Sequence, residues 1–327
     1  MPEFEVIDTH VHLARTTEEE IDNYPVPGRR SCGRFGTPDR VIVFMDGNCI
    51  SRMVMMNLMP RRFRGPLAGK AKWQGLTEEQ RQREEKRLVD LIGPRIREFN
   101  EWGCATSQRY PRLSAFSCVA KELGDAQAIV AEVVLRASQG AKGIKLHPGV
   151  FGFFPHDRAL WPMYAKCQEL GLPVLADSAP LPHSRILAVH PDPIASLETH
   201  SHVDYGEPAN FEPVLKEFPK LNLVLAHLGS AWWDERVELA QKYPNVYFDT
   251  SQGFTAEDRL SFNPHRGLAE EDAVRIIRKI GVERIMFGTD FSALAWEPQL
   301  EQVLRLSLTD GEKQAILADN AKRILRL

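Results

Sequence analysis

From Leu113 to the end of the chain, short apolar segments alternate with helix-patterned ones. Leu113–Val119, Gly143–Leu146, Pro173–Ala176, Leu221–Ala226, Asn245–Phe248 and Glu283–Phe287 read as buried strands. Helical patterns lie between and after them: Asp125 capping an apolar stripe of Ile129, Val130, Val133, Val134 and Ala137, then Trp161–Leu170, Glu212–Phe218, Ala231–Tyr243, Glu270–Ile280 and a last helix from Thr309 to Leu325. Continuous hydrophobic strands separated by helices are what a parallel sheet covered on both faces requires. Two further strands, Glu3–Ile7 and Arg52–Leu58, come earlier, and Thr77-Glu78-Glu79-Gln80 is a capping box for a charged helix running to about Trp102. Eight such units close into an α/β fold of the (β/α)8 TIM-barrel type, one domain over 1–327. Ala14–Asp39 and Pro60–Trp73 have no clear period and are expected as loops inserted on the C-terminal face.

Composition bounds the function classes. The net charge of −3 gives no general attraction to nucleic acid or anionic membrane. No apolar run approaches the length of a membrane span. The N-terminus lacks the basic and apolar regions of an export signal, and the five cysteines are widely spaced without a Cys-x-x-Cys. These features point to reduced thiols and a cytoplasmic protein.

Polar residues at the strand ends carry the chemistry. They are His10 and His12 after the first strand, Lys145 and His147 at the fourth, Asp177 after the fifth, His227 after the sixth and Asp290 after the eighth. Residues two apart on a strand face one side, so His10 and His12 project together. In a barrel of this type all C-terminal strand ends open on one face, so residues 280 positions apart converge there. Histidines with carboxylates suit Zn, Fe or Mn and leave a position for water.

Ile7-Asp8-Thr9-His10-Val11-His12, Gly143-Ile144-Lys145-Leu146-His147-Pro148, Leu225-Ala226-His227-Leu228-Gly229, Asn245-Val246-Tyr247-Phe248-Asp249, Ile285-Met286-Phe287-Gly288-Thr289-Asp290 and Asn320-Ala321-Lys322-Arg323 occur in that order along the chain. In these segments the chain resembles the amidohydrolase superfamily, and within it the branch of 2-amino-3-carboxymuconate-semialdehyde decarboxylase. The resemblance implies a divalent metal on His10, His12 and Asp290, with His227 near the bound water. It departs from the family at one position. Where the family places a metal-binding histidine after the fifth strand, this chain has Asp177. Asp177 is either a ligand, monodentate or bridging two ions, or it stands behind a histidine that swings in. His227 is itself a candidate ligand as well as a candidate base, His147 and His202 are further candidate ligands, and His183 and His200 are spare. One or two ions per chain are therefore expected.

Pro60 to Lys72 holds five basic residues, Arg61, Arg62, Arg64, Lys70 and Lys72, and no acidic one. Charge runs are commonly solvated loops. Here the run follows a barrel strand, so it is also a candidate anion clamp, since Arg grips carboxylate and phosphate with a bidentate fork. Arg29, Arg30 and Arg34 are placed to join it. The expected function is a metal-dependent hydrolase using metal-activated water on an acyl carbon of an anionic ester, amide or thioester. A coenzyme A thioester is the sharp version, and His227 or Asp290 handles the proton. The alternative is a lyase, a non-oxidative metal-dependent decarboxylase of an aromatic or unsaturated acid. Lys145 with Arg61, Arg62 and Arg64 are the expected substrate contacts. The expected partner is a small anionic molecule, and a homodimer is left open.

Overall fold

The computed structural model describes residues 4–23, 36–60, 65–73, 75–179, 205–253 and 268–327. Eight parallel strands pair in sequence order: β1 Val6–Val11, β2 Ile50–Met56, β3 Leu113–Cys118, β4 Gly143–Leu146, β5 Val174–Ala176, β6 Leu223–Leu225, β7 Val246–Asp249 and β8 Ile285–Met286. Thr9 N–H donates to the Phe287 carbonyl at 2.9 Å and Asp290 N–H to the His10 carbonyl at 2.8 Å, which brings β8 onto β1 and closes the barrel. The TIM-barrel expectation therefore holds.

The two faces of the strands have different duties. One face packs under the surrounding helices. The other fills the barrel axis with Ile7, Val54, Met56, Phe116, Leu175, Val224 and Met286. Gly143 is required on β4, since a Cβ there would lie 2.4 Å from the Phe116 ring. Ala318, Ala321, Ile324 and Leu325 of the C-terminal helix join the axial cluster, and the Ile324 carbonyl accepts from Asn222 just before β6. The last helix thus covers the N-terminal end of the barrel.

The sequence boundaries need three adjustments. β1 runs on through His10, so the first histidine lies in the strand. Its register with β2 shifts between Asp8 and Val11. That irregularity supplies the one-residue change of face that lets axial Ile7 and the inward His10 share a strand. The charged helix starts with the expected Thr77–Gln80 capping box but continues to Arg109. β8 is only two residues long. There the Phe287 N–H is taken by the Ile316 carbonyl at 2.8 Å, within a π turn, Ala315–Asp319, that interrupts the last helix. Among the described residues no helix is long and apolar enough to cross a membrane.

Candidate active site

The C-terminal strand ends gather two sets of His and Asp side chains. On the β8–β1 side, His10, His12 and Asp290 each offer a ligand atom within 4.8 Å of the others. What lies behind each ring fixes its free nitrogen. His10 Nδ1–H donates to Asp249 Oδ2 at 2.8 Å, and His12 Nδ1–H donates to the Met56 carbonyl at 3.0 Å. Both Nε2 atoms therefore keep lone pairs. His10 Nε2 faces Lys145 Nζ at 3.1 Å, and His12 Nε2 stands 3.0 Å from Asp290 Oδ1. A nitrogen lone pair against a carboxylate oxygen is repulsive unless a cation lies between them. This donor set therefore fits a divalent ion. The other Asp290 oxygen is occupied, accepting Gln252 Nε2–H at 2.8 Å.

The electrostatics agree with ligand roles. Burial, and then the neighbouring Lys145, push His10 down to about 4, so its imidazole is neutral at physiological pH. Burial acts to raise Asp290 and Asp249, but the facing histidines hold both below the usual carboxylate range. Asp249 is further held by four donors: His10 Nδ1–H, His227 N–H at 3.0 Å, Ser251 N–H at 3.0 Å and the Ser251 hydroxyl. A carboxylate behind a metal-binding histidine fixes the ring's tautomer and orientation. Asp8 lies one step further back, accepting from His10 N–H, Thr289 N–H and Thr289 Oγ1–H, and burial pushes it up to about 7.

The β4–β6 side is built differently. Asp177 Oδ2 faces His227 Nε2 at 2.9 Å and His147 Nε2 at 3.3 Å. His147 caps a short helical turn and accepts Val150 N–H on Nδ1, so its proton is on Nε2 and points at Asp177. Burial acts to raise Asp177, and the two histidines bring it well below the usual range. Asp177 belongs to neither group of converging ligand atoms among the described residues. The second such group, His10, His227 and Asp249, has the Ser251 hydroxyl among it. Its Oγ is 3.2 Å from His10 Nδ1 and 2.8 Å from His227 Nδ1 and donates to Asp249. We read that group as a hydrogen-bonded hub and not as an ion site. His227 and Asp290 both have left-handed backbone, φ 66° and 64°, which non-glycine residues adopt only at a cost and which is common where side chains are aimed for function.

Lys145 is fully buried on the barrel axis beside these groups. Burial lowers its pKa, while Asp177, Asp249 and Asp290 act to restore it. The basic run is partly committed elsewhere. Lys70 pairs with buried Glu122 and donates to the Phe151 carbonyl at 2.7 Å, tying the loop after β2 to those after β3 and β4. Arg61, Arg62, Arg64, His183, His200, His202, Arg29, Arg30 and Arg34 lie outside the described residues. Sequence reasoning missed Ser251, Gln252 and the site role of Asp249. Asp249 ends a strand like the others and was visible by that rule. The two polar residues after it carried no comparable signal.

Fold and site together define a (β/α)8 barrel of the class that carries a His/Asp metal centre at its C-terminal mouth. The amidohydrolase family model matches residues 7–327, and the chain belongs to that family of enzymes. No curated protein matches the chain. Among solved structures it is similar to 2,6-dihydroxybenzoate decarboxylase from Rhizobium, with TM-score 0.65 and 16% identity over 99% of each chain. It is also similar to a dihydroxybenzoic acid decarboxylase from Polaromonas with bound manganese and the inhibitor 2-nitroresorcinol, with TM-score 0.64, 18% identity, 99% of this chain and 97% of that one. A third is a probable 2-pyrone-4,6-dicarboxylic acid hydrolase from Acinetobacter baumannii, with TM-score 0.57, 15% identity, 99% and 100% coverage.

Proposed function

We propose that this enzyme is a non-oxidative, divalent-metal-dependent decarboxylase of a small aromatic or unsaturated carboxylic acid, acting in the cytoplasm. The observation that carries the reading is the His227–Asp177 contact of 2.9 Å beside the His10–His12–Asp290 set. Decarboxylation breaks a carbon–carbon bond and leaves its electron pair on carbon. That carbon must receive a proton from a positioned acid. His227 in its imidazolium form, with Nε2–H toward the buried Asp177 carboxylate and Nδ1–H toward Ser251 Oγ, is such an acid. Asp290, held ionised by its histidine neighbours, is not. A divalent ion on His10, His12 and Asp290 would supply polarisation of the substrate's oxygens. The dihydroxybenzoates for which two similar structures are named are small acids of this kind.

A metal-dependent hydrolase remains the second reading, supported by the likeness to the probable 2-pyrone-4,6-dicarboxylic acid hydrolase. The coenzyme A version has less support, because Lys70 is engaged by Glu122 and the substrates named for similar structures carry no phosphate. The test is a panel of hydroxylated benzoates and unsaturated acids with the Mn²⁺-loaded enzyme in D₂O and in H₂¹⁸O. The decarboxylase reading expects CO₂ release and deuterium on the carbon that carried the carboxylate. Incorporation of ¹⁸O into an acid product without CO₂ would replace it with the hydrolase.

A further inference from the structure

Arg236 belongs to the helix Trp233–Lys242 that follows β6, and it has no exposed surface. Among the described residues no carboxylate lies within ion-pair distance of it. Its donors go instead to three main-chain carbonyls and one serine hydroxyl. Nη2 donates to the Ser178 carbonyl at 2.6 Å, Nη1 to Ser178 Oγ at 2.9 Å and to the Ala226 carbonyl at 3.4 Å, and Nε to the Ala231 carbonyl at 3.0 Å. Ser178 Oγ itself donates to the Ala226 carbonyl at 2.7 Å.

These partners are not arbitrary. Ser178 follows Asp177, and Ala226 precedes His227. β5 and β6 are three residues each, and their last rung is Ala226 N–H to the Ala176 carbonyl at 2.9 Å. Asp177 and His227 stand one residue beyond it, where the two strands no longer fix each other and His227 has φ 66°. A planar guanidinium has its donors in a rigid fork, so it sets the spacing of the groups it joins. Burying that charge without an ion pair is costly. Asp249 and Asp177 offset part of the cost at longer range, and Arg236 stays charged at neutral pH, at about 10 after burial.

We infer that Arg236 is a positioning residue that clamps Ser178 to Ala226 and so sets the Asp177–His227 contact from behind. The role rests on the reading of that pair as the proton-handling group, but its test needs no substrate, so failure of one does not mimic failure of the other.

The experiment follows the imidazole N–H protons of the full-length, Zn²⁺-loaded protein by NMR. The His227 Nε2–H signal is identified as the downfield resonance lost in both D177N and H227Q but kept in H147Q, since His147 Nε2–H also points at Asp177. In R236K, whose ammonium cannot span both strands, and in S178A, which keeps the guanidinium but removes the hydroxyl bridge, that signal should shift upfield or vanish into exchange with water. Zn²⁺ stoichiometry and affinity should stay as in wild type. If R236K does not fold, S178A decides. An unchanged signal in S178A, or a loss of Zn²⁺ affinity accompanying the loss of the signal, would overturn the inference in favour of a general structural role.

Discussion

The two sides of the barrel mouth use the same residue types for opposite purposes. On the β8–β1 side, His10 and His12 give their Nδ1 protons backwards, to Asp249 and the Met56 carbonyl, and present lone pairs. On the β4–β6 side, His147 accepts Val150 N–H on Nδ1 and presents N–H to Asp177, which also faces His227 Nε2. A histidine's role is therefore decided by the atom behind it. On the proposed reading, one side is a cation-binding surface and the other a proton-handling one. The Ser251 hydroxyl and Asp249 join the two, since each contacts or bonds groups of both His10 and His227.

Substitutions should separate the sides. The largest effect is expected for H12A and D290N, in which bound Mn²⁺ and activity both fall below detection while the far-ultraviolet circular dichroism of the barrel persists. Activity retained by metal-free H12A would remove the distinction altogether. Next, D177N should lower the rate by roughly 10²–10⁴-fold, the size of a positioned acid–base contribution, with Mn²⁺ still bound. Smaller effects belong to the residues behind the ligands. Q252A frees the second oxygen of Asp290, and S251A loosens both His10 and His227. Each should weaken Mn²⁺ binding by about 10–100-fold by calorimetry. S251A should also lower the rate at saturating metal, which Q252A should not.

Much of this was readable before the fold was known, and the reason is physical. Alternating apolar segments and helices leave few ways to bury both faces of a parallel sheet, so the barrel followed. Polar residues that interrupt an apolar run at a strand end, such as His227 and Asp290, stand out against their surroundings. Ser251, Gln252 and Arg236 do not. A serine and a glutamine after a strand, or an arginine in a helix with Asp234 and Glu235 beside it, look like surface residues. Only the fold turns them inward. The same applies to Asp177. Its departure from a histidine pattern was visible, but whether its oxygens meet an ion or two N–H groups depends on His147 and His227 across the mouth. Lys70 shows the converse, since a basic loop residue that looked like an anion clamp is spent on buried Glu122.

A separate effect, on stability and not on metal or rate, concerns Asp8, behind His10. Its folded pKa of about 7 lies above the ordinary 3.8. The native state therefore holds a proton that the unfolded chain releases, and stability should fall as pH rises from about 4 to about 7. D8N keeps a neutral side chain and escapes that loss. His10, lowered to about 4, works the other way over the same range, but equally in both proteins. The difference in urea midpoint between D8N and wild type should thus grow in favour of D8N up to about pH 7 and then level off. A difference independent of pH would show that Asp8 does not hold the proton.

The account turns on where the ion sits. The direct measurement is a Mn²⁺ titration of metal-stripped wild type, D177N and D290N, read by calorimetry with elemental analysis of the loaded protein. The account predicts about one ion per chain in wild type and D177N with closely similar affinity, and none in D290N. Two ions in wild type, falling to one or none in D177N, would make Asp177 a ligand and contradict the division of the mouth.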